Sequence, residues 1–389
     1  MWKSPRRPFY RCSSWMKNDI SVYIHIPFCV RKCLYCDFPS IITDPGKEKA
    51  YLNALLKEIE HCAGLLKDKS IRTVYFGGGT PSVTDPAYIK SILEVLRRVS
   101  DISSNAEISM ELNPGTVDEN KLGIYLGSGI NRFSMGLQSA NDNELKALGR
   151  IHTFEEFKES FRLLRKAGAK NINVDIMTGI PYQTFDSLKI TFNEVTALGP
   201  EHISAYTLIM EPGTPFYETG EEKLNLPSEE DGIAFYEYTE AFLEANGYKR
   251  YEISNYAKNG YECRHNLVYW DCGDYLGFGS SAASRIGERR YSNVRDVDEY
   301  IKAPVDNREE DLRLTKEELM SEFIFMGLRK TGGINLDDFE ERFGISVFEA
   351  YEKTLEKHMI RGLILVDGKR LYFSRRGMNV SNMILADFV

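Results

Sequence analysis

The chain has 389 residues, a net charge of −8 at pH 7 and the composition of an ordinary globular protein. This length allows one large domain and a smaller one. The negative charge argues against a nucleic-acid surface, and no apolar run approaches the roughly 20 residues of a membrane span, so we expect no stable membrane insertion.

Residues 1–19 are predicted to form an N-terminal extension. The segment contains Arg6, Arg7 and Arg11 but no continuous apolar core, so a secretory signal is not expected. It is either a weak targeting segment or simply an irregular start. An odd number of cysteines, seven in all, does not suit a disulfide framework, and we therefore expect a protein of the reducing cytoplasm.

Three cysteines, Cys29, Cys33 and Cys36, lie in one short loop after the first predicted strand. Thiolates this close in sequence can converge on one soft metal centre. A structural zinc site would need a fourth ligand, and no further cysteine lies nearby, since Asp37 and Phe38 follow. A [4Fe–4S] cluster held by three thiolates would leave one iron open to a ligand that is not protein. Zinc and unrelated core thiols remain the alternatives.

Short strand-like segments alternate with amphipathic helical segments through residues 20–305. Such alternation is typical of parallel βα units, and it predicts an α/β fold with a partial or full βα barrel. The predicted strands are 21–27, 71–77, 106–113, 131–138, 171–177 and 202–208, and the predicted helices between them include Ala50–Leu66, Ala87–Val99, Phe154–Ala167 and Phe185–Leu198.

The predicted strands alternate between apolar and polar residues, whereas parallel strands buried on both faces are normally apolar throughout. Because the apolar face must pack against the helices, the polar face should point into the barrel. A polar interior predicts a cavity for a polar ligand. Glu111, Gln138 and Asp175 lie on the polar faces of successive strands near their C-terminal ends, where barrel sites lie.

Residues 306–389 are predicted to form a small C-terminal helical, winged-helix-like domain, which opens with a charged linker at Asp306–Arg313. The predicted helices are Lys316–Lys330, Leu336–Phe343, Phe348–Arg361 and Arg376–Phe388, with a hairpin around Asp367-Gly368. Since the chain is acidic, we interpret this domain as a packing cap on the barrel and not as a DNA-binding module.

A glycine-rich segment, Gly77-Gly78-Gly79-Thr80-Pro81, follows the second predicted strand. Three glycines allow the backbone to approach a ligand closely and to adopt positive φ. The segment is neither the dinucleotide-binding GxGxxG motif nor a P-loop, which would need a Lys after the last glycine. Taken alone, it is equally well explained as a tight turn.

The three-cysteine loop and the glycine segment together resemble the radical S-adenosylmethionine (SAM) family. The resemblance implies a [4Fe–4S] cluster on Cys29, Cys33 and Cys36, whose open iron is chelated by SAM. It also implies an electron donor, because in this family an electron from the cluster cleaves SAM to a 5′-deoxyadenosyl radical.

Four segments narrow the resemblance to the oxygen-independent coproporphyrinogen III oxidase group, over nearly the whole chain: Tyr23–Cys29, Gly77–Pro81, Met110–Pro114 and Gly136–Ser139. Matched motif by motif, this resemblance implies SAM contacts at Tyr23, Tyr35, Gly78, Gly79, Thr80, Glu111, Gln138, Arg150 and Asp175.

The sequence departs from the true oxidases in two places. Phe38 stands where they have a further cysteine, and only about twenty residues precede the first strand, where they have a longer region. Both departures match the oxidase-like subgroup called HemW, similar to a heme chaperone, which implies heme as cargo and a heme-accepting protein as partner. The alternatives are oxidation of coproporphyrinogen III to protoporphyrinogen IX, and another radical SAM reaction on a tetrapyrrole, which no feature of the sequence selects.

The segment His265-Asn266-Leu267-Val268-Tyr269-Trp270 looks like the His-Asn-x-x-Tyr-Trp motif of the same subgroup. Histidine is a common axial ligand of heme iron, so His265 is the candidate heme ligand. Tyr269 and Trp270 offer flat apolar surface for a porphyrin, and Arg264 is placed to pair with a propionate. The alternative is that this aromatic turn only packs beneath the barrel mouth.

Overall fold

The computed structural model describes residues 18–305 and 307–389. Most of the predicted N-terminal extension, residues 1–17, therefore lies outside the described residues. The strands are β1 Asp19–Ile26, β2 Phe28–Cys29, β3 Ile41–Ile42, β4 Ser70–Gly78, β5 Asp101–Leu112, β6 Arg132–Gln138, β7 Ile172–Thr178, β8 His202–Thr207, β9 Lys249–Arg250, β10 Asn255–Ala257, β11 Tyr275–Phe278, β12 Ala283–Ile286, β13 Arg289–Asn293, β14 Arg308–Arg313, β15 Ile334–Asn335, β16 Ile364–Asp367 and β17 Arg370–Phe373. The α-helices are α1 Pro45–His61, α2 Ala63–Leu66, α3 Pro86–Val99, α4 Glu119–Gly127, α5 Asp142–Ala147, α6 Phe154–Ala167, α7 Phe185–Leu198, α8 Pro215–Thr219, α9 Glu229–Ala245, α10 Arg264–Trp270, α11 Val297–Lys302, α12 Lys316–Gly327, α13 Leu336–Phe343, α14 Val347–Ala350, α15 Glu352–Ile360, α16 Arg375–Asn379 and α17 Ser381–Leu385.

One sheet of 12 strands runs through the larger part of the molecule, in the order β14-β13-β12-β11-β1-β4-β5-β6-β7-β8-β10-β9. All neighbours from β11 to β8 are parallel. From β4 to β8 each strand lies beside the next one along this stretch of chain, with at least one helix in each connection. The sheet ends at β14 and β9, so the predicted α/β fold is confirmed as a partial barrel.

The apolar face of each central strand packs under the surrounding helices. On β5, Ile108, Met110 and Leu112 are buried in the main hydrophobic core together with Leu93 of α3 and Leu122 of α4. Full burial of such side chains stabilises the fold by about 1.5–3 kcal/mol each. The opposite faces of the same strands consequently turn their polar side chains toward the interior.

Local sequence signals fix the ends of the helices that frame the sheet. Thr153 and Glu156 form a capping box at the start of α6, and Gly168 ends the helix with φ of 99°. Thr184 and Gly199 begin and end α7 in the same manner. These signals explain why the predicted bounds of both helices are confirmed.

The predicted linker at 306–313 is wrong for most of its length. Residues Arg308–Arg313 form β14, which pairs antiparallel with β13 at the edge of the main sheet. Its charged, exposed side chains suit an edge strand, where charge discourages pairing with other chains. We therefore propose that the C-terminal domain starts at Leu314 and not at Asp306.

The C-terminal region contains helices and a hairpin, as predicted, packed around a separate hydrophobic core. Strands β16 and β17 form the hairpin, and β15 adds a third strand to it. The predicted helix Phe348–Arg361 is divided into α14 and α15 at Tyr351, and the last predicted helix is divided at Val380. No helix among the described residues is long and apolar enough to cross a membrane.

A buried ion pair joins the C-terminal region to the barrel sheet. The guanidinium of Arg285, on β12, lies 3.1 Å from the carboxylate of Glu322, on α12, and the two side chains are only 4% and 13% exposed. Arg285 Nη1 also donates to the backbone carbonyl of Cys272 at 2.7 Å. Removing one member of such a pair leaves an uncompensated charge in the interior.

Changing Glu322→Ala should therefore lower the free energy of unfolding by about 3–5 kcal/mol, measured by urea unfolding. The matched control is Glu288→Ala, since Glu288 pairs with Arg313 at 3.0 Å but the two side chains are 55% and 83% exposed. This control should cost at most about 1 kcal/mol. Equal losses in the two variants would contradict a structural role for the buried pair.

Candidate functional site

A cavity of about 370 Å³ lies where the parallel strands end beside the three-cysteine loop. The polar faces of β5, β6, β7 and β8 contribute to its walls. The predicted site residues that line it are Cys29, Cys33, Tyr35, Cys36, Gly78, Gly79, Thr80, Glu111, Gln138, Arg150 and Asp175. The predicted residues Tyr23 and His265 are not among its lining residues.

The three cysteines lie in a loop that two short strands hold against the barrel mouth. Strand β2 ends at Cys29 and pairs with β3, and the backbone N–H of Cys36 donates to the carbonyl of Cys33 at 3.3 Å. Burial, with smaller contributions from the nearby thiols of Cys33 and Cys29, raises the pKa of the Cys36 thiol to about 11. The thiols therefore share one small region.

A metal centre suits this donor set, because a bound cation deprotonates thiols that burial otherwise keeps neutral. The iron–sulfur cluster that three thiolates can hold thus fits the residues present. Within residues 18–305 and 307–389, no group of three or more His, Cys, Asp or Glu side chains is arranged around the position of a single metal ion.

The glycine segment packs directly on the cysteine loop. Gly79 N–H donates to the carbonyl of Ile26 at 2.8 Å, and Thr80 N–H donates to that of Phe28 at 2.8 Å. A Cβ atom at Gly79 would lie 2.7 Å from the carbonyl oxygen of Phe28, and one at Gly78, whose φ is +111°, would lie 2.5 Å from the ring of His25. Glycine is therefore required here by packing, and not only by close approach of a ligand.

His25 supports the cysteine loop through a hydrogen bond to its backbone. Its Nε2–H donates to the carbonyl of Pro39 at 3.0 Å, and Nδ1 accepts from the hydroxyl of Tyr23 at 3.0 Å. Burial lowers the pKa of His25 to about 4, so the ring is neutral near pH 7. Tyr23 stacks on Tyr75 with ring centres 6.3 Å apart. It therefore contacts the site through His25 and Tyr75, behind the cavity wall.

Two buried carboxyl groups face the cavity. Glu111 accepts from the hydroxyl of Tyr75 at 2.9 Å and from Gly78 N–H at 3.2 Å, and Asp175 accepts from the amide of Asn173 at 2.7 Å. Burial, followed by the nearby charge of Asp175, raises the pKa of Glu111 to about 7. Burial likewise raises the pKa of Asp175. Both groups would ionise more readily beside a cationic ligand.

Arg150 links the cysteine loop to the ends of β5 and β6. Its Nη2 donates to the carbonyl of Gly136 at 2.6 Å and to the side chain of Asn113 at 2.8 Å, and Nη1 lies 3.6 Å from Cys33 Sγ. These contacts position Arg150 at the cluster end of the cavity. The contact of Arg150 with SAM that the resemblance implies stays a prediction.

His265 lies behind the cavity wall, and only 1% of it is exposed. Its Nδ1 is bonded to the hydroxyl of Thr73 at 2.7 Å and its Nε2 to the hydroxyl of Tyr269 at 2.8 Å. Iron ligation by His265 would thus require one of these bonds to break. Its neighbour Asn266 lines the cavity instead, and Arg264 donates to the carbonyl of Asn105 at 2.7 Å.

Several lining residues were missed by the sequence prediction, among them Tyr75, Asn113, Arg132, Asn173 and Asn266. Four of them could have been found by simple signals. Arg132 lies two positions before Ser134, so it falls on the polar face of β6 when the alternation of that strand is followed toward its N-terminus. Asn113 and Asn173 lie on the polar faces that the sequence already indicated. Asn266 belongs to the motif that begins at His265. Tyr75 is an aromatic residue in a strand, which gives no such signal.

Comparison with known proteins gives matches over nearly the whole chain. The radical SAM superfamily matches residues 23–195, and the HemN C-terminal domain matches residues 314–380. The chain is 36% identical to "Heme chaperone HemW" of Bacillus subtilis (strain 168), over 95% of this chain and 99% of that protein, and 37% identical to "Heme chaperone HemW" of Escherichia coli (strain K12), over 69% and 70%. Among solved structures, coproporphyrinogen III oxidase (HemN) from Escherichia coli, a radical SAM enzyme, superposes with a TM-score of 0.83 and 26% identity, over 95% of this chain and 90% of that one.

The buried carboxyl of Glu111 predicts a pH dependence of SAM binding. Because its pKa is about 7, this carboxyl is mostly neutral at pH 6 and mostly ionised at pH 8. Binding of the cationic ligand to the wild-type protein should therefore tighten as the pH rises, by up to about tenfold per unit below the pKa, and Glu111→Gln should weaken binding and reduce this dependence. Calorimetry on anaerobically reconstituted protein measures both effects.

The matched control is Glu94→Gln, because Glu94 lies on α3 with 59% of its side chain exposed. Protonation of SAM itself affects the wild-type protein, Glu111→Gln and Glu94→Gln equally. Only the difference between their pH profiles of SAM affinity therefore reports on Glu111. An unchanged pH profile in Glu111→Gln would show that this carboxyl does not contact the cationic part of the ligand.

Proposed function

Because the chain belongs to the HemW family of the radical SAM superfamily, we propose that it is a heme chaperone, which binds heme and transfers it to an acceptor protein. The observation that carries this proposal is the similarity to a protein named as a heme chaperone over 99% of that protein's length. The fold alone would not distinguish a heme chaperone from a coproporphyrinogen III oxidase, since the oxidase HemN superposes over most of the chain.

Membership of the superfamily implies a [4Fe–4S] cluster and SAM, which together supply one-electron chemistry when bound. We propose that Cys29, Cys33 and Cys36 hold the cluster. The support is that their thiols lie together at the barrel mouth. His25 and Arg150 then keep the cysteine loop in place, through their contacts with Pro39 and with Cys33.

The SAM contacts that we propose lie on the cavity wall: Tyr35, Gly78, Gly79, Thr80, Glu111, Gln138, Arg150 and Asp175. The two buried carboxyl groups would face the cationic part of the ligand. Tyr23 would act through its hydrogen bond to His25. His265 stays our candidate for the heme ligand, on the condition that the bond to Thr73 or to Tyr269 opens.

We also propose a barrel domain from residue 20 to Arg313, followed by the C-terminal helical domain. The pairing of β14 with β13 supports this division.

An electron donor is required for the cluster chemistry. A cytoplasmic location without stable membrane insertion is supported by the few cysteines and by the reducing conditions that a cluster prefers, and the net charge of −8 speaks against a nucleic-acid partner.

The alternative, oxidation of coproporphyrinogen III, is not favoured. Phe38 occupies the position of the further cysteine of the oxidases, lines the cavity and has 64% of its side chain exposed. A phenyl ring at the mouth can neither ligate iron nor transfer a proton, whereas it offers apolar surface to a porphyrin.

One reconstituted, anaerobic sample divided in two decides between these functions. The first half is titrated with heme and followed by its absorption band, and the second receives coproporphyrinogen III, SAM and a reductant before its porphyrins are separated. We expect stoichiometric heme binding and no protoporphyrinogen. Turnover to the divinyl product without heme binding would make the protein an oxidase despite Phe38.

The same heme titration on His265→Gln examines the candidate ligand, with His61→Gln as control because His61 is exposed at the end of α1. A change of the heme absorption band in the first variant alone supports iron ligation by His265. Identical bands in both variants and in the wild-type protein exclude it.

A further inference from the structure

Arg132, the first residue of β6, is a buried charge in the cavity. The side chain is 2% exposed and lines the cavity wall. Its Nε has no hydrogen-bond partner. Burial lowers the pKa of Arg132, but the nearby groups of Cys263 and Glu107 raise it above its ordinary value. The charge is thus stabilised by its neighbours, while a donor of the guanidinium stays open to a ligand.

The neighbouring carboxyl groups act on Arg132 through their charge, but their hydrogen bonds go to other donors. Glu107 accepts from the backbone N–H groups of Arg264 and His265, both at 3.1 Å. Glu111 and Asp175 are held by Tyr75, Gly78, Asn173 and Ser134. Burial raises the pKa of Glu111 and of Asp175, and the nearby charge of Arg132 partly opposes this shift in both.

Arg132 lies at the end of the cavity away from the cysteines. The inward residues of β6 that line the cavity are Arg132, Ser134, Gly136 and Gln138, and the four strand positions from Arg132 to Gly136 span about 13 Å. Arg150, which contacts Cys33, bonds to Gly136, toward the far end of the strand. A SAM carboxylate at the cluster is therefore too distant to pair with Arg132.

We propose that Arg132 forms a carboxylate-binding subsite at the floor of this cavity, which receives a propionate of heme. This inference rests on the proposed function. Guanidinium and carboxylate groups form paired, charge-assisted hydrogen bonds, and heme carries two propionates on one edge. The subsite orients heme with its propionate edge inward and leaves the opposite edge toward the barrel mouth.

Affinity for three ligands, measured on the reconstituted full-length protein, tests this subsite: heme, heme dimethyl ester and SAM. Arg132→Met should weaken heme binding by at least about tenfold, equivalent to about 1.4 kcal/mol, because the propionate loses its cationic partner. The dimethyl ester, which has no carboxylate, should bind the variant and the wild-type protein equally. Arg162→Met is the matched control, since Arg162 on α6 is 58% exposed, and it should bind heme as the wild-type protein does.

Four outcomes would overturn the subsite. Equal weakening of heme and its dimethyl ester would show that Arg132 only shapes the cavity, and a loss confined to SAM would assign the carboxylate to SAM. Unchanged heme binding in Arg132→Met would remove the subsite and leave the chaperone proposal intact, whereas a wild-type protein without affinity for heme would overturn both. If the Met variant fails to fold, Arg132→Lys takes its place, because it keeps the charge but not the paired geometry. This variant should bind heme several-fold more weakly than the wild-type protein does, while its affinity for the dimethyl ester should be unchanged.

Discussion

The structure depends on one constraint: polar side chains enclosed by parallel strands must find hydrogen-bond partners inside the protein. The apolar faces of the strands are committed to the helices, so the other faces close around polar groups. Tyr75 satisfies Glu111, and Asn173 satisfies both Asp175 and His202. The cavity lies where these internal bonds end, and hydrogen bonds to neighbouring residues hold Glu111 and Asp175 of its wall.

The same constraint positions the cysteine loop. The loop follows β1, and the glycine segment follows β4, the neighbouring parallel strand, so both emerge at the same end of the sheet. The absence of side chains at Gly78 and Gly79 allows the two segments to touch. Arg150 and His25 then contact the loop, Arg150 at Cys33 and His25 at Pro39. A cluster held there would lie at the mouth, while Arg132 lies at the other end of the cavity with no hydrogen-bond partner for its Nε.

Much of this arrangement could be predicted from the sequence, because alternation of polar and apolar residues is a local signal. The central strands, the helices with capping residues and most of the cavity lining follow from it. The failures concern contacts between distant segments. Arg308–Arg313 has the composition of a linker and becomes a strand only by pairing with β13. His265 is enclosed by Thr73, which lies 192 positions away in the chain, and Tyr23 is separated from the cavity by its neighbours on adjacent strands.

The electron paramagnetic resonance spectrum of the reduced, reconstituted protein, recorded with and without SAM, tests the central claim most directly. We expect the signal of one [4Fe–4S] cluster per chain. Its g-values should shift when SAM is added, because we propose that SAM binds the iron that the three cysteines leave open. Cys33→Ala should abolish the signal, while Cys62→Ala, which changes a cysteine outside the cavity lining, should retain it. A cluster signal that SAM does not alter, or a sample that contains zinc and no iron, would contradict the account.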